Sequence, residues 1–492
     1  MSKIVRQIFS ETTFKIVMLI ILMFMLVPYF QHNYGWIVKL GLVVGAVVCI
    51  DNLVKNKLLF IKDAICDALC LFVISYAISI LTNRGYFLGN NIKELIYMVT
   101  FVFVFFIALQ NESNPRIDIT TISIVIVVLS YILSLASLIT FLFGINITYQ
   151  LPENGTNGQI ILNDYYIGLA AGRLYGVTNA NAGASLCLIS IILSVYLLLK
   201  FKNANSNLIL KRTFLIISIL LQYTCLLLTQ ARSAEISGLI VLFFGLSIYL
   251  TKQHKGENRL VKMLRGIFLS CFFVLLIYVM SFLLLKVSPF LPSFMNGMLE
   301  NSNMVVTNMN FMSNGPSFLS IDFEEPLKQR AVLDSDILTG RLDIWKSGFE
   351  IFKESPMFGL TREGFVMPVY EKIYSSTGIY NSAVITGGLH NIYLTVLVSS
   401  GIVGFLLMSF VIISVLYKSF YVLFKEKEIN IEMYFALLVS MAFLLMELVE
   451  SRILYQANVF NVIYWIYFGY LYYFVNTKIL LLKNKRDMIN LE

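Results

Sequence analysis

Four arginines and one histidine stand where a sequence this apolar has few charged residues. Arg232 lies in Thr229-Gln230-Ala231-Arg232-Ser233-Ala234-Glu235, a short break between two strongly apolar runs. Arg173 sits in Gly172-Arg173-Leu174-Tyr175-Gly176, shortly before Asn179-Ala180-Asn181. Arg452 follows Glu447 and Glu450-Ser451, and Arg341 opens Gly340-Arg341-Leu342-Asp343-Ile344-Trp345. A guanidinium carries a permanent charge on a planar fork that matches phosphate oxygens two at a time. Each arginine taken alone reads equally as an interfacial anchor or half of an ion pair; a cluster of them would make a phosphate site. His390, after Gly387-Gly388-Leu389 and before Asn391, is the one of three histidines outside an ordinary polar loop. An imidazole exchanges a proton near neutrality, so His390 is either a base for a hydroxyl or a hydrogen-bonding fixture at a helix start. No Walker loop, His-Glu-x-x-His, Gly-x-Ser-x-Gly or Cys-x-x-Cys with partner histidines occurs, and no cofactor or metal is implied. Asp322, Glu324 and Glu325 form an acidic patch that reads as solvated.

The elements that must carry these residues follow from composition. Of 492 residues, 58% are hydrophobic and 13% charged, which excludes a single water-soluble globule. Apolar runs long enough to cross about 30 Å of hydrocarbon recur from end to end. They predict an all-α polytopic membrane protein with twelve spans, at 14–31, 36–50, 64–81, 93–109, 119–144, 182–200, 213–229, 234–250, 266–286, 390–417, 433–449 and 458–476. Lys and Arg number 23 in one set of alternate loops and 6 in the other, which places both termini in the cytoplasm. The net charge of +8 therefore reflects cytoplasmic loops and not nucleic-acid binding. Three units follow: 1–287 with nine spans, 288–389 as an external loop, and 390–492 with three spans and a cytoplasmic tail. Within the loop, Ser288 to Pro316 reads as irregular linker, whereas Gly340 to Phe352 has the apolar spacing of an amphipathic helix closed by Ser355-Pro356. The six cysteines lie in or beside apolar runs and read as packing residues.

In order along the chain, the Arg173 stretch with Asn179-Ala180-Asn181, Gln230-Ala231-Arg232-Ser233, Gly340-Arg341-Leu342-Asp343-Ile344-Trp345 and His390-Asn391 resemble the O-antigen ligase and Wzy-type polysaccharide polymerase superfamily. His390-Asn391, nine residues and then Gly401-Ile402-Val403-Gly404 is similar to that family's His-Asn and Gly-x-x-Gly spacing. The chain departs from it where Asn-Ala-Asn replaces the expected Asn-Pro-Asn.

The resemblance implies a metal-independent inverting glycosyltransferase of the GT-C type in the bacterial cytoplasmic membrane. It would act at the outer face on glycans linked to undecaprenyl diphosphate, polymerising repeat units into capsule or O-antigen. His390 would be catalytic, Arg173, Arg232, Arg341 and Arg452 would bind the diphosphate, and Asn179, Asn181 and Asn391 would support them. A flippase and a chain-length regulator are the partners such an enzyme implies. The Lys-, Asn- and Ile-rich composition is similar to that of polymerases rather than ligases. Ligase-type transfer to another acceptor is the nearest alternative. A flippase would line a central cavity with charged residues in mid-span, and these are scarce here. A structural scaffold would tolerate loss of the arginines.

Overall fold

The computed structural model describes residues 11–55, 63–83, 87–107, 115–154, 160–170, 172–201, 208–253, 258–288, 290–292, 341–377 and 388–489. The chain is an all-α polytopic membrane protein with a small sheet on one side. Its first helices are α1 (Glu11–Phe24), α2 (Pro28–Tyr34), α3 (Trp36–Lys55), α4 (Ala64–Thr82), α5 (Leu88–Thr100) and α6 (Pro115–Leu142). After strands β1 (Ile147–Asn154), β2 (Ile160–Ala170) and β3 (Arg173–Gly176) come α7 (Ala180–Lys200), α8 (Leu208–Thr229), α9 (Arg232–Gln253) and α10 (Arg259–Val287). The long loop contributes α11 (Arg341–Phe352) and α12 (Arg362–Thr377), followed by α13 (Ile392–Lys425), α14 (Ile431–Met446) and α15 (Val459–Ile489). Among the described residues eight helices are long and apolar enough to cross a membrane, or nine if α1 and α2 count as one bent span.

The described residues of the expected apolar runs are largely helical, but three runs differ in detail, as does one segment between runs. The run at 14–31 is not one helix: α1 and α2 meet at 114° across a short break. Pro28 opens α2, and Val27 before it is extended (φ −83, ψ 116), because the proline ring disfavours helical backbone at the preceding residue. The run at 93–109 starts earlier, at Leu88, and ends as a π-helix over Phe101–Ile107. The run at 390–417 starts two residues later than expected, at Ile392, and breaks at Gly401 (φ 66, ψ −172). The segment between the fifth and sixth runs is an antiparallel sheet of order β1-β2-β3, which the hydropathy reading did not foresee.

In lipid, helices associate through close packing and polar contacts between them, with little hydrophobic drive. Here α15 is the central post: Val462 to Tyr472 is buried almost without interruption, including Trp465, Tyr467 and Tyr470. Phe106 of the π-helix stacks on Tyr472 at 5.4 Å and meets Trp465 edge-on at 6.0 Å. Hydroxyls join neighbours, as in Ser123 to Tyr467 at 2.7 Å and Ser134 to Gln222 at 2.8 Å.

The long loop is bonded into this bundle. Ile344, Ile351, Phe365, Val366, Val369 and Leu389 form a second small core on Val398 of α13. At the Gly401 break, Leu360 N–H donates to the Val398 carbonyl (2.9 Å) and Thr361 N–H to the Ser399 carbonyl (3.0 Å), while Ile402 N–H donates to the Pro356 carbonyl (2.8 Å). Backbone groups freed by the broken helix are thus satisfied by loop backbone, as irregular structure at membrane depth requires. A side chain at Gly401 would collide with the Met357 carbonyl. The close approach expected at this glycine is therefore made by the loop. Behind it, buried Arg362 donates to Glu94 at 2.9 Å, and the Tyr76 hydroxyl donates to the same carboxylate at 2.7 Å. The acidic patch at Asp322, Glu324 and Glu325, most of the linker after Ser288, and His254 lie outside the described residues.

Candidate active site

The arginine turns are brought together by the ends of four helices and the small sheet. Gly176 ends β3 at φ 60 against Ser137 of α6, where a side chain would collide with that serine. Asn179 then caps α7, its side chain accepting from Asn181 N–H at 3.0 Å. Arg173 at the start of β3 donates through Nε to the Thr229 carbonyl (2.8 Å) and through Nη2 to Asn181 Oδ1 (2.6 Å). The Gln230 side chain donates to the Gly172 carbonyl at 2.9 Å. These bonds stitch the Arg173 turn to the break between α8 and α9. Arg232 opens α9 and is exposed. Its charge and that of Arg173 both fall on Glu235, one turn into the helix.

His390 lies just outside α13 in the left-handed region (φ 46), a conformation that costs a non-glycine residue of order 1–3 kcal/mol and persists only when its surroundings enforce it. They do so on both sides. Asn391 caps α13, accepting from Leu394 N–H at 3.0 Å and donating to the Leu448 carbonyl at 3.0 Å. Ile392 N–H donates to the Glu447 carbonyl, and the Trp345 indole of α11 donates to the Leu389 carbonyl, each at 3.0 Å. The chain is thus pinned between α11 and the end of α14, with the imidazole half-buried at the mouth of the bundle.

Glu450 joins the two halves. Its Oε1 accepts from Asn181 Nδ2 at 3.2 Å and from Arg341 Nη2 at 3.5 Å, and its Oε2 is 3.9 Å from His390 Nδ1. Burial alone would raise its pKa. The charge of Arg452, the hydrogen bond and charge of His390, and the charge of Arg341 outweigh this and hold the carboxyl well below the usual range, at about 2. Arg452 is braced on the far side: its backbone N–H donates to Glu447 (2.7 Å), Nη2 to Ser185 (2.9 Å), and its guanidinium lies 4.7 Å over the Phe460 ring.

One path of contacts therefore runs from Arg173 through Asn181 to Glu450, and from there to Arg341 and His390; Arg232 is tied to it by the charge that it and Arg173 both place on Glu235. Asn179 and Asn391 are caps that set the positions of Asn181 and His390. Three residues that matter were passed over in the sequence: Glu450 as the hub, Trp345 as the clamp on Leu389, and Arg362 as the loop's anchor. A carboxylate two residues before Arg452, in a short turn with other cations, was the available signal for Glu450. Beside the site, α11 and α13 enclose an apolar groove of about 620 Å³ lined by Leu342, Trp345, Phe349, Leu394, Leu397 and Phe405.

Residues 214–409 match the family described as O-antigen ligase. The matched segment contains Arg232, Arg341 and His390, and it supports the superfamily resemblance of the three motifs that carry them. Arg173, Asn181, Glu450 and Arg452 lie outside the matched segment yet complete the arrangement in space. The family is one of glycan transfer from lipid-linked oligosaccharides. No curated protein matches the chain.

Proposed function

We propose that the protein is a metal-independent, inverting polysaccharide polymerase of the bacterial cytoplasmic membrane. It joins oligosaccharide repeat units carried on undecaprenyl diphosphate, at the outer face, with both termini in the cytoplasm. The observation that carries this reading is the convergence of Arg341, His390 and Asn181 on the Glu450 carboxylate, with Arg173 one hydrogen bond further out.

In this reading the carboxylate faces His390 Nδ1 and keeps a proton there, so that Nε2 is the basic nitrogen. An acceptor sugar hydroxyl gives its proton to Nε2 as its oxygen attacks the anomeric carbon of the donor. The bond from that carbon to the diphosphate breaks, and the lipid diphosphate leaves with the electron pair. Displacement from the opposite face inverts the anomeric centre. Fixed cations aimed at the departing charge lower the barrier without reorganising during the reaction. Arg341, Arg173 and Arg232 supply that charge, while Arg452, braced on Glu447 and Phe460, holds Glu450 and Asn181 in place. The apolar groove between α11 and α13 takes the first isoprene units of the carrier. A flippase that delivers the repeat units and a regulator that sets chain length are the partners this activity calls for.

The test is incubation of the purified protein with lipid-linked repeat units in EDTA. A ladder of products that differ by one repeat supports the polymerase. Transfer of one block to a different acceptor indicates a ligase, and absence of any transfer overturns the reading.

A further inference from the structure

A second, larger cavity of about 850 Å³ reaches the start of α7 at Asn179 and Ala182. Part of its lining is apolar, from Leu22, Met25 and Leu26 at the break between α1 and α2. The β-sheet adds Asp164, Tyr165 and Tyr166 of β2 and Tyr175 of β3, with Asp164 and Tyr166 on the same face of their strand. The rings of Tyr166 and Tyr175 meet at 5.5 Å and 60°, so they form a corner. Asp164 is exposed, with Gln150 Nε2 donating to it at 2.9 Å.

Two residues connect the cavity to the site. Asn179 lines it and caps the helix turn from which Asn181 reaches Arg173 and Glu450. Asn458 also lines it and donates to the Arg452 carbonyl at 2.9 Å. The two recesses beside the site thus differ in chemistry. The groove by α11 is walled largely by aliphatic and aromatic carbon and suits an isoprenoid. This one combines tyrosine faces with a carboxylate and carboxamides, and Asp164 and Lys39 offset each other in formal charge. A saccharide presents that same mixture, with apolar C–H faces that lie on aromatic rings and hydroxyls that both donate and accept. A diphosphate is matched better by the arginines, none of which lines this cavity, than by its single Lys39 beside Asp164.

We propose that this cavity binds a neutral oligosaccharide, the sugar portion of the glycan substrate, with Tyr166 and Tyr175 as the stacking platform and Asp164 as a hydroxyl acceptor. The proposal rests on the glycan-transfer reading for the identity of the ligand, and it is tested separately from it. The probe is the repeat-unit oligosaccharide freed from its lipid by mild acid and fluorescently labelled, bound to the whole protein in nanodiscs. Saturable binding is expected, weakened at least tenfold in Tyr166→Ala and in Asp164→Asn, restored in large part by Tyr166→Phe, and undisplaced by undecaprenyl phosphate. Asp164 is exposed, so its isosteric variant keeps the test open should Tyr166→Ala fail to fold. Absence of binding, unchanged affinity in a folded Asp164→Asn variant, or displacement by undecaprenyl phosphate overturns the proposal, the last marking a lipid pocket. Arg341→Ala separates the two readings: normal glycan transfer by that variant removes the assigned diphosphate site while leaving oligosaccharide binding to stand or fall alone.

Discussion

Replacing Glu450 with Gln keeps the shape and the hydrogen-bond acceptor but removes the charge on which the site converges. Its Oε2 is 3.9 Å from His390 Nδ1. When the imidazole takes the acceptor's proton it becomes a cation, and at an effective dielectric of about 20 a carboxylate at that distance stabilises it by about 4 kcal/mol. The amide dipole of Gln retains part of this, and Arg341, freed from its partner, opposes the new positive charge. The expected loss is about 2–4 kcal/mol in the transition state, or roughly 30-fold to 10³-fold in kcat at about 1.4 kcal/mol per decade. Substrate affinity should change little, because the carboxylate does not face the diphosphate. The assay is initial rate per folded molecule over a range of lipid-linked glycan, with Glu450→Asp as the charge-conserving control. Turnover of Glu450→Gln equal to the parent's would refute the reasoning, since the carboxylate would then have no part in the proton transfer. The pH dependence has a definite sign. The folded pKa of Glu450, about 2, lies below the unfolded value near about 4.3. Its stabilising contribution is therefore complete above that unfolded value and is lost as pH falls toward 2. Acid titration should show the parent losing stability in that window more steeply than Glu450→Gln, with the two curves parallel between about pH 5 and 8.

Arg232→Ala and Arg341→Ala should each lose roughly 10²-fold to 10³-fold in rate, with poor rescue by Lys because the two-point fork is lost; normal rates in folded variants would remove the diphosphate assignment. Glu94→Ala removes the buried carboxylate that Arg362 and the Tyr76 hydroxyl share, leaving the guanidinium only the partly exposed Glu363, and should destabilise the protein by about 1–3 kcal/mol, read as a fall in thermal midpoint, whereas an unchanged midpoint would show that the pair does not anchor the loop. With native thiols removed, a cysteine at position 317 should react with an impermeant reagent in intact cells and one at position 206 should not. The reverse pattern would invert the topology.

The helices were legible because a span needs an uninterrupted apolar length, which eight helices among the described residues have, or nine with the bent α1–α2 pair, against the twelve spans expected. Pro28 also announced the break between α1 and α2, but hydropathy averages over one proline. The β-sheet was harder to read because it lies between membrane-length apolar runs, although Ile147–Leu151 alternates apolar and polar residues at the strand period. Motif order singled out Arg232, Arg341 and His390, and all three fall within the matched segment 214–409. What it did not carry was the partner that organises them. Glu450 is 109 residues from Arg341 and 269 from Asn181 along the chain, so only folding brings them together. The same holds for Arg362, whose partner Glu94 is 268 residues away. His390 was expected at the mouth of the tenth span, and the chain holds it just ahead of that helix at a positive φ, a local conformation that no residue pattern specifies.

The central claim is that His390, held by Asn391, Trp345 and Glu450, takes the proton of the attacking hydroxyl. Its most direct test is the turnover of His390→Ala and His390→Gln per folded molecule, at saturating lipid-linked glycan and in EDTA. The account predicts a loss of roughly 10²-fold to 10⁴-fold with glycan binding retained, the range over which general acid–base catalysis contributes. A residue that only fixes the helix start would instead reduce the amount of folded protein, by about 1 kcal/mol of stability, and leave each folded molecule as fast as the parent; that result would contradict the account.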